Sequence, residues 1–186
     1  MSGADLLHPA VQHHIVNSLG WRELRPVQED CIAPVLDGEN LLVLAPTAGG
    51  KTEAVFFPLI SRTLVAPWAG LSTLYLSPLK ALLNNVEERL ARYYGLVGCR
   101  AAVWHGDIRT SGRKQLTADP PSCLLTTPES LEVMLVSPGI DHRSLFRALQ
   151  AVVVDEVHAF AGDDRGWHLL SLLQRISRLA GRDLQR

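Results

Sequence analysis

The chain has 186 residues, of which 47% are hydrophobic and 20% are charged, and its formal net charge is −1. This balance excludes a largely disordered chain, which requires few apolar residues and a high net charge, and it excludes a strongly basic protein. The three cysteines, Cys31, Cys99 and Cys123, lie far apart with no Cys-x-x-Cys pair, which argues against a disulfide framework and a zinc site.

The first 38 residues contain no strand pattern. No basic stretch followed by an apolar run opens the chain, and no apolar run approaches about 18 residues, so we expect a cytoplasmic protein without a membrane segment. Apolar periodicity predicts two helices, at residues 10–19 and 27–36, the second with Pro26 near its start. We therefore assign residues 1–38 to an N-terminal helical segment and residues 39–186 to a second region.

Short apolar runs alternate with amphipathic segments through that second region. The runs are nearly all apolar, which is typical of strands that are covered on both faces. They lie at residues 41–44, 74–76, 101–104, 123–125 and 151–154. Helical faces recur between them, most clearly near residues 79–93 and 169–179. The alternation predicts an α/β domain with a mainly parallel sheet flanked by helices.

A loop of small residues follows the strand predicted at residues 41–44, and a helix is predicted after it at 53–64. Such a loop turns backbone N–H groups toward a phosphate, and the helix N-terminus adds a positive dipole end. Lys51 is expected to reach the terminal phosphates of a nucleotide, and the Thr52 hydroxyl to ligate Mg²⁺. Because alanine resists a positive φ, we expect Gly49 rather than Ala48 to absorb the turn. The alternative is a glycine-rich turn without a ligand.

The strand predicted at residues 151–154 ends in Asp155 and Glu156. Carboxylates at the end of a buried strand are costly unless they are used or paired, and ligands bind at that edge of open α/β sheets. We interpret Asp155 as a Mg²⁺ ligand through water and Glu156 as the group that orients and deprotonates an attacking water. Acidic turn formers are the alternative, and the phosphate loop upstream favours the first interpretation.

Five motifs in order resemble the first RecA-like domain of a superfamily 2 DEAD/DEAH-box helicase. They are RPVQ at 25–28, APTAGGKT at 45–52, SPLKAL at 77–82, TTPESL at 126–131 and DEVH at 155–158. Three details resemble the Lhr-type branch: the wording of SPLKAL and TTPESL, the sequence HGD at 105–107 with Arg113 downstream, and RGWHL at 165–169. The resemblance covers essentially residues 20–180.

The resemblance implies an ATP-dependent helicase or translocase that moves 3′-to-5′, with ATP and Mg²⁺ as cofactors and DNA favoured over RNA as its partner. It implies that Gln28 reads the adenine base. The implied residues around the phosphates are Thr47, Ala48, Gly49, Gly50, Lys51 and Thr52. Thr52 and Asp155 are the implied Mg²⁺ ligands. His158 joins Lys51, Asp155 and Glu156 as an implied catalytic residue.

The resemblance also implies contacts with the nucleic-acid backbone, from the SPLKAL and TTPESL motifs and from the HGD sequence. The implied residues are Pro78, Lys80, His105, Gly106, Thr127, Pro128, Glu129 and Ser130. Physical chemistry supports part of this set, because Ser77 and Thr127 are typical N-cap residues with a proline next to them. Free N–H groups at such helix starts suit a phosphate.

The family completes its ATP site with a second RecA-like domain, in cis or in trans, which supplies an arginine finger. We find no pattern of that domain in these 186 residues, nor the Ser-Ala-Thr motif, whose strand lies between the phosphate-loop strand and the DEVH strand in the family. We therefore expect an incomplete domain, truncated before its last strand or strands, with little hydrolysis of its own. A Ski-type RNA helicase and a binding module without turnover remain as alternatives.

Overall fold

The computed structural model describes residues 2–46, 48–65, 70–105, 115–162 and 164–186. The chain divides into two compact units, residues 1–67 with 185–186, and residues 68–184. Among the helices described, none combines the length and apolar character needed to cross a bilayer.

The first unit is helical. A short 3-10 helix at Gly3–Leu6 precedes α1 (Pro9–Asn17), α2 (Pro26–Asp37) and α3 (Lys51–Val65), so the three helices predicted in this region are confirmed to within three residues at each end. Proline at the first position of α2 is favourable, because the N–H that it lacks would have no partner inside the helix. The helix α2 packs against α3, which positions the loop that precedes α3.

The strand predicted at residues 41–44 is not formed, and this prediction was wrong. Residues 41–46 have no regular secondary structure, and Leu42 and Leu44 are 68% and 81% exposed. The Leu41 N–H donates to the Arg186 carbonyl at 2.9 Å. An apolar run becomes a strand only when a neighbouring chain pairs with its N–H and C=O groups, and the described part of the first unit supplies no such ladder for this run.

The second unit contains a four-stranded parallel sheet in the order β2-β3-β1-β4. The strands are β1 (Thr73–Leu76), β2 (Ala101–Val103), β3 (Cys123–Thr126) and β4 (Ala151–Val154). Leu76 of the central strand lies in register with Thr126 and Val154. The residues that follow β1, β3 and β4 therefore leave the sheet at one carboxyl edge, where ligands bind in open α/β sheets. The predicted α/β class is confirmed.

Helices flank this sheet. They are α4 (Lys80–Leu96), α5 (Pro128–Leu135), α6 (His142–Phe146) and α7 (Asp164–Ala180), with a 3-10 turn at Val157–Phe160. The core joins strand residues to the apolar face of α7 and includes Leu74, Leu76, Leu124, Val152, Leu169, Leu172 and Ile176. Burying such side chains contributes about 1.5–3 kcal/mol each. This burial holds α7 against the sheet.

The strand β4 lies at one edge of the sheet. It pairs with β1 on one side, and within the described residues no strand pairs with its other side. Its four residues are all apolar, and Val153 and Val154 are partly exposed. An apolar edge of this kind offers a template for a further strand. The additional strand expected from the resemblance stays a prediction.

Candidate functional site

The loop that opens α3 carries most of the predicted nucleotide-binding residues. Lys51 is the first residue of the helix, and its Nζ donates to the carbonyls of Ala45 at 2.7 Å and Pro46 at 3.2 Å. The Gly49 N–H donates to the same Pro46 carbonyl at 2.9 Å. A phosphate is a stronger acceptor for an ammonium group than a neutral carbonyl, so it would compete for Lys51. Thr47 lies outside the described residues.

The turn of this loop is made at Ala48. Ala48 has a φ of 60° and Gly50 a φ of 89°, whereas Gly49 keeps a negative φ, so the expectation that Gly49 absorbs the turn was wrong. The left-handed region costs an L-residue about 1–2 kcal/mol. A guanidinium N–H of Arg25 donates to the Ala48 carbonyl, and this hydrogen bond helps to hold the strained residue in place.

We expect Ala48→Gly to raise the free energy of unfolding by about 0.5–1 kcal/mol, because relief of the left-handed strain outweighs the added entropy of the unfolded chain. Urea unfolding followed by circular dichroism measures the change. The matched control is Ala91→Gly on the exposed face of α4, where the same substitution should lower stability by about 1 kcal/mol. Equal changes at both positions would contradict the assignment of strain to Ala48.

Gln28 lies against the phosphate loop and is only 1% exposed. Its Oε1 accepts the Arg25 N–H at 2.9 Å, and its Nε2 donates to the Gly50 carbonyl at 3.3 Å. A Cβ on residue 50 would lie 2.5 Å from that Nε2 and would force the Gln28 amide to move, and the positive φ of Gly50 independently favours glycine. Both ends of the Gln28 amide have protein partners. Reading of adenine by Gln28 requires them to change partners and stays a prediction.

Asp155 is held from two sides at the end of β4. The buried Tyr75 hydroxyl donates to its Oδ2, and the Glu156 N–H donates to its Oδ1 at 2.9 Å. Burial and then the hydrogen bond to Asp155 raise the pKa of Tyr75 well above its ordinary value, so the tyrosine remains a neutral donor. Sequence reasoning missed Tyr75. The available signal was a tyrosine between Leu74 and Leu76 in a run predicted as a buried strand.

Glu156 follows in a strained conformation, with a φ of 48°. Ala48 and Glu156 are the non-glycine residues with positive φ in the described part of the chain, and each falls in a motif predicted to handle ATP. Such strain concentrates at functional sites, because it persists only where the surroundings enforce it. The Glu156 Oε2 lies 3.5 Å from Nδ1 of His158, and these side chains are 43% and 79% exposed, so this pair contributes little to stability.

The donor atoms suit Mg²⁺, which prefers oxygen ligands and usually takes one or two protein carboxylates, with phosphates and waters filling its other positions. Thr52 offers a hydroxyl and Asp155 a carboxylate. No group of three or more His, Cys, Asp or Glu residues gathers as a metal cage in the residues that the structure describes. Thr52 and Asp155 therefore stay predicted metal ligands.

A groove of about 500 Å³ lies between the segments predicted to contact nucleic acid. Its lining includes five of the predicted residues, Pro78, Lys80, Thr127, Glu129 and Ser130. Its apolar lining includes Leu79, Trp104 and Val133, and sequence reasoning gave Trp104 and Val133 no role in binding. Pro128 opens α5 beside the groove. His105 is not one of its lining residues, and Gly106 lies outside the described residues.

The two predicted N-caps differ. Thr127 caps α5 as predicted, because its hydroxyl accepts the Ser130 N–H at 3.3 Å and Pro128 is the first helical residue. The cap predicted at Ser77 was wrong, since α4 begins only at Lys80 and the Ser77 hydroxyl donates to the Leu79 carbonyl at 3.3 Å. Lys80 thus stands at a helix start, where the dipole disfavours a cation by about 0.3–1 kcal/mol. A bound phosphate would offset this cost.

Arg165 joins the groove from α7, and sequence reasoning assigned it no role of its own. Its Nη2 donates to the Pro78 carbonyl at 2.9 Å and to the Glu129 Oε1 at 3.0 Å, and its Nε lies 3.3 Å from the same carboxylate oxygen. Its Cζ lies 5.3 Å from the centre of the Phe160 ring. The signal in the sequence was an Arg-Gly pair shortly after the DEVH motif.

Comparisons with known proteins identify the family of this chain. The family model described as DEAD/DEAH box helicase matches residues 25–185. The chain is 39% identical over 180 residues to the Lhr helicase/probable uracil glycosylase of Mycolicibacterium smegmatis, covering 87% of this chain and 12% of that protein. It is 35% identical over 173 residues to the ATP-dependent helicase Lhr-Core protein 2 of Thermococcus barophilus, covering 84% of this chain and 20% of that protein.

A solved structure agrees as well. The structure of Mycobacterium smegmatis helicase Lhr bound to ssDNA and AMP-PNP matches with a TM-score of 0.85 and 34% identity, over 100% of this chain and 25% of that one. The chain thus spans a quarter or less of the length of each of these three proteins. The resemblance to Lhr-type helicases inferred from the motifs is confirmed by these similarities.

Proposed function

This chain belongs to the DEAD/DEAH box helicase family, and we propose that it is the part of an ATP-dependent DNA helicase that binds ATP and one face of a nucleic-acid strand. The observation that carries the proposal is where the motif residues fall. The predicted site residues that the structure describes lie on or against the loop before α3, or follow the carboxyl ends of the four strands. These are the places where α/β folds of this kind bind ligands.

On the nucleotide side, Lys51 and the N–H groups of the loop bind the phosphates, and Gln28 is the candidate reader of adenine. Thr52 and Asp155 would hold Mg²⁺, which supplies positive charge to the phosphates when it is bound. Asp155 is ready for this role because Tyr75 and the Glu156 N–H fix its carboxylate. Glu156 orients the attacking water and accepts its proton.

On the nucleic-acid side, the groove offers a cation at Lys80 and the start of α5, both suited to phosphates. Among the described lining residues, Arg165 carries the one guanidinium, and it bonds to Pro78 and Glu129. We therefore propose contacts to the backbone that are largely blind to sequence. Two relatives of this chain are Lhr helicases by name, and the helicase Lhr of Mycobacterium smegmatis has been solved with bound ssDNA. These names favour DNA over the Ski-type RNA alternative.

A second RecA-like domain, in cis or in trans, is also part of the proposal. Family members hydrolyse ATP between two such domains, and an arginine finger contributes about 10³–10⁵ in rate in other nucleotide hydrolases. We retain residues 1–38 as the segment that carries the adenine motif and residues 39–186 as the RecA-like domain.

The proposed function is tested by the ATPase activity of the full-length protein with single-stranded DNA, single-stranded RNA or neither. We expect DNA to raise the rate by about tenfold or more, because strand binding completes the active arrangement in induced-fit enzymes. RNA should stimulate less. Equal stimulation by RNA would favour the Ski-type alternative, and the absence of any stimulation would favour a binding module without turnover.

A further inference from the structure

We propose that Arg165 is a positioning residue for the nucleic-acid strand: it neutralises the Glu129 carboxylate at the start of α5 and ties that helix to the Pro78 turn, so that a backbone phosphate can bind between them. The inference rests on the proposed function, because it assumes that the groove receives a nucleic-acid strand. It concerns a residue that the motifs gave no role.

The charge of Glu129 is the first step. Glu129 is the second residue of α5 and lines the groove. Partial burial alone would raise the pKa of its carboxyl, but hydrogen bonds from its own N–H, from Thr127 and from Arg165 outweigh burial and lower that pKa. The side chain is therefore an anion at neutral pH. An anion beside the helix start repels a phosphate unless a cation compensates it.

Arg165 supplies that cation in a defined geometry. It donates to Glu129 at 3.0 Å and 3.3 Å and to the Pro78 carbonyl at 2.9 Å, while its guanidinium lies over the Phe160 ring. Lysine has a single ammonium group on a flexible stem and cannot reproduce a planar fork with two separate acceptors. The pair thus fixes the two groove segments relative to each other as well as cancelling one charge.

The surroundings of Arg165 hold its backbone close to the end of β4. A Cβ on Gly166 would collide with the Phe160 carbonyl, so glycine at 166 allows the first turn of α7 to pack directly on the 3-10 turn after the DEVH motif. The same short segment therefore connects the groove to the strand end that carries Asp155 and Glu156.

A role in stability alone is a weaker explanation. The side chains of Arg165 and Glu129 are 38% and 55% exposed, and ion pairs at that exposure contribute little to folding. Their position at the groove, by contrast, places both charges where a phosphate is expected. The two explanations make different predictions for a double variant.

The test measures binding of a fluorescein-labelled oligothymidylate to the full-length protein by fluorescence anisotropy. We expect R165Q to weaken binding about tenfold, since it leaves the Glu129 charge uncompensated, and E129Q to bind at least as tightly as the wild type. The double variant R165Q/E129Q should recover to within about threefold of the wild type. R165K should bind more weakly than the wild type, because it loses the fork. R178Q, an exposed arginine on the same helix, is the matched control for loss of one charge.

Two results would overturn the inference. Binding by R165Q that equals R178Q would remove any special role for Arg165. A double variant as weak as R165Q would mean that Arg165 binds the phosphate itself or supports only the fold, and a direct contact would also lower the salt slope of binding by about 0.7. If the wild type binds no oligothymidylate, the proposed function fails. If the wild type binds oligothymidylate and R165Q binds it equally well, this inference fails while the proposed function stands.

Discussion

Lys51→Ala is expected to weaken binding of Mg²⁺-ATP by about 10- to 100-fold, because hydrogen bonds to charged groups contribute about 1.5–3 kcal/mol each. Lys51 is the cation of the loop itself, and its ammonium group bonds only to two loop carbonyls among the contacts that the structure gives it. These weak acceptors can be exchanged for phosphate oxygens at little cost. Removing the side chain leaves the loop N–H groups and the helix dipole as the remaining phosphate ligands. Isothermal titration calorimetry with Mg²⁺-ATP measures the loss.

The control for Lys51→Ala is Arg178→Ala, which removes one exposed cation from α7 in the other unit. It should leave the ATP dissociation constant unchanged. Circular dichroism should show the same helix content for both variants, since Lys51 stands at the first position of α3, where alanine is well tolerated. Equal ATP affinity in the wild type and in Lys51→Ala would contradict the assignment of the phosphate loop.

Apolar periodicity predicted the elements that bury a face within their own unit. The strands at β1, β3 and β4 and the helices α3 and α7 were all anticipated, because burial of a periodic face dominates local propensity. The run at residues 41–44 is as apolar as β4, yet it forms no ladder. A strand depends on hydrogen bonds to a neighbour, and a single sequence does not reveal whether that neighbour is present.

Two similar Ser/Thr-Pro sequences also had different outcomes. Thr127 caps α5, whereas Ser77 stands three residues before α4 begins. The Ser77 segment also has a distant partner, since Arg165 donates to the Pro78 carbonyl from 87 positions away. Local cap preferences cannot include such a contact.

The functional residues that sequence reasoning missed depend on long-range contacts of the same kind. Tyr75 reaches Asp155 across 80 positions, and Arg165 reaches Glu129 across 36. Ala48 shows the opposite error, because the propensity of alanine was known and the surroundings overrode it. The Arg25 hydrogen bond to the Ala48 carbonyl and the Gly49 hydrogen bond to Pro46 are contacts that help to hold the turn at Ala48.

Glu156→Gln is expected to lower the rate of ATP hydrolysis in the full-length protein by about 10²–10⁴-fold, the usual contribution of a general base. Glutamine has the same size as glutamate and a similar free-energy cost in the left-handed region. The φ of 48° and the N–H bond to Asp155 should therefore persist. Affinity for Mg²⁺-ATP should therefore stay within about threefold of the wild type. Single-turnover hydrolysis with single-stranded DNA present, paired with calorimetry, separates the two effects.

The control is Glu88→Gln, on the exposed face of α4. It makes the same chemical change away from the site, and this variant should hydrolyse ATP at the wild-type rate. Loss of nucleotide binding together with hydrolysis in Glu156→Gln would mean that this carboxylate shapes the site rather than accepting a proton from water.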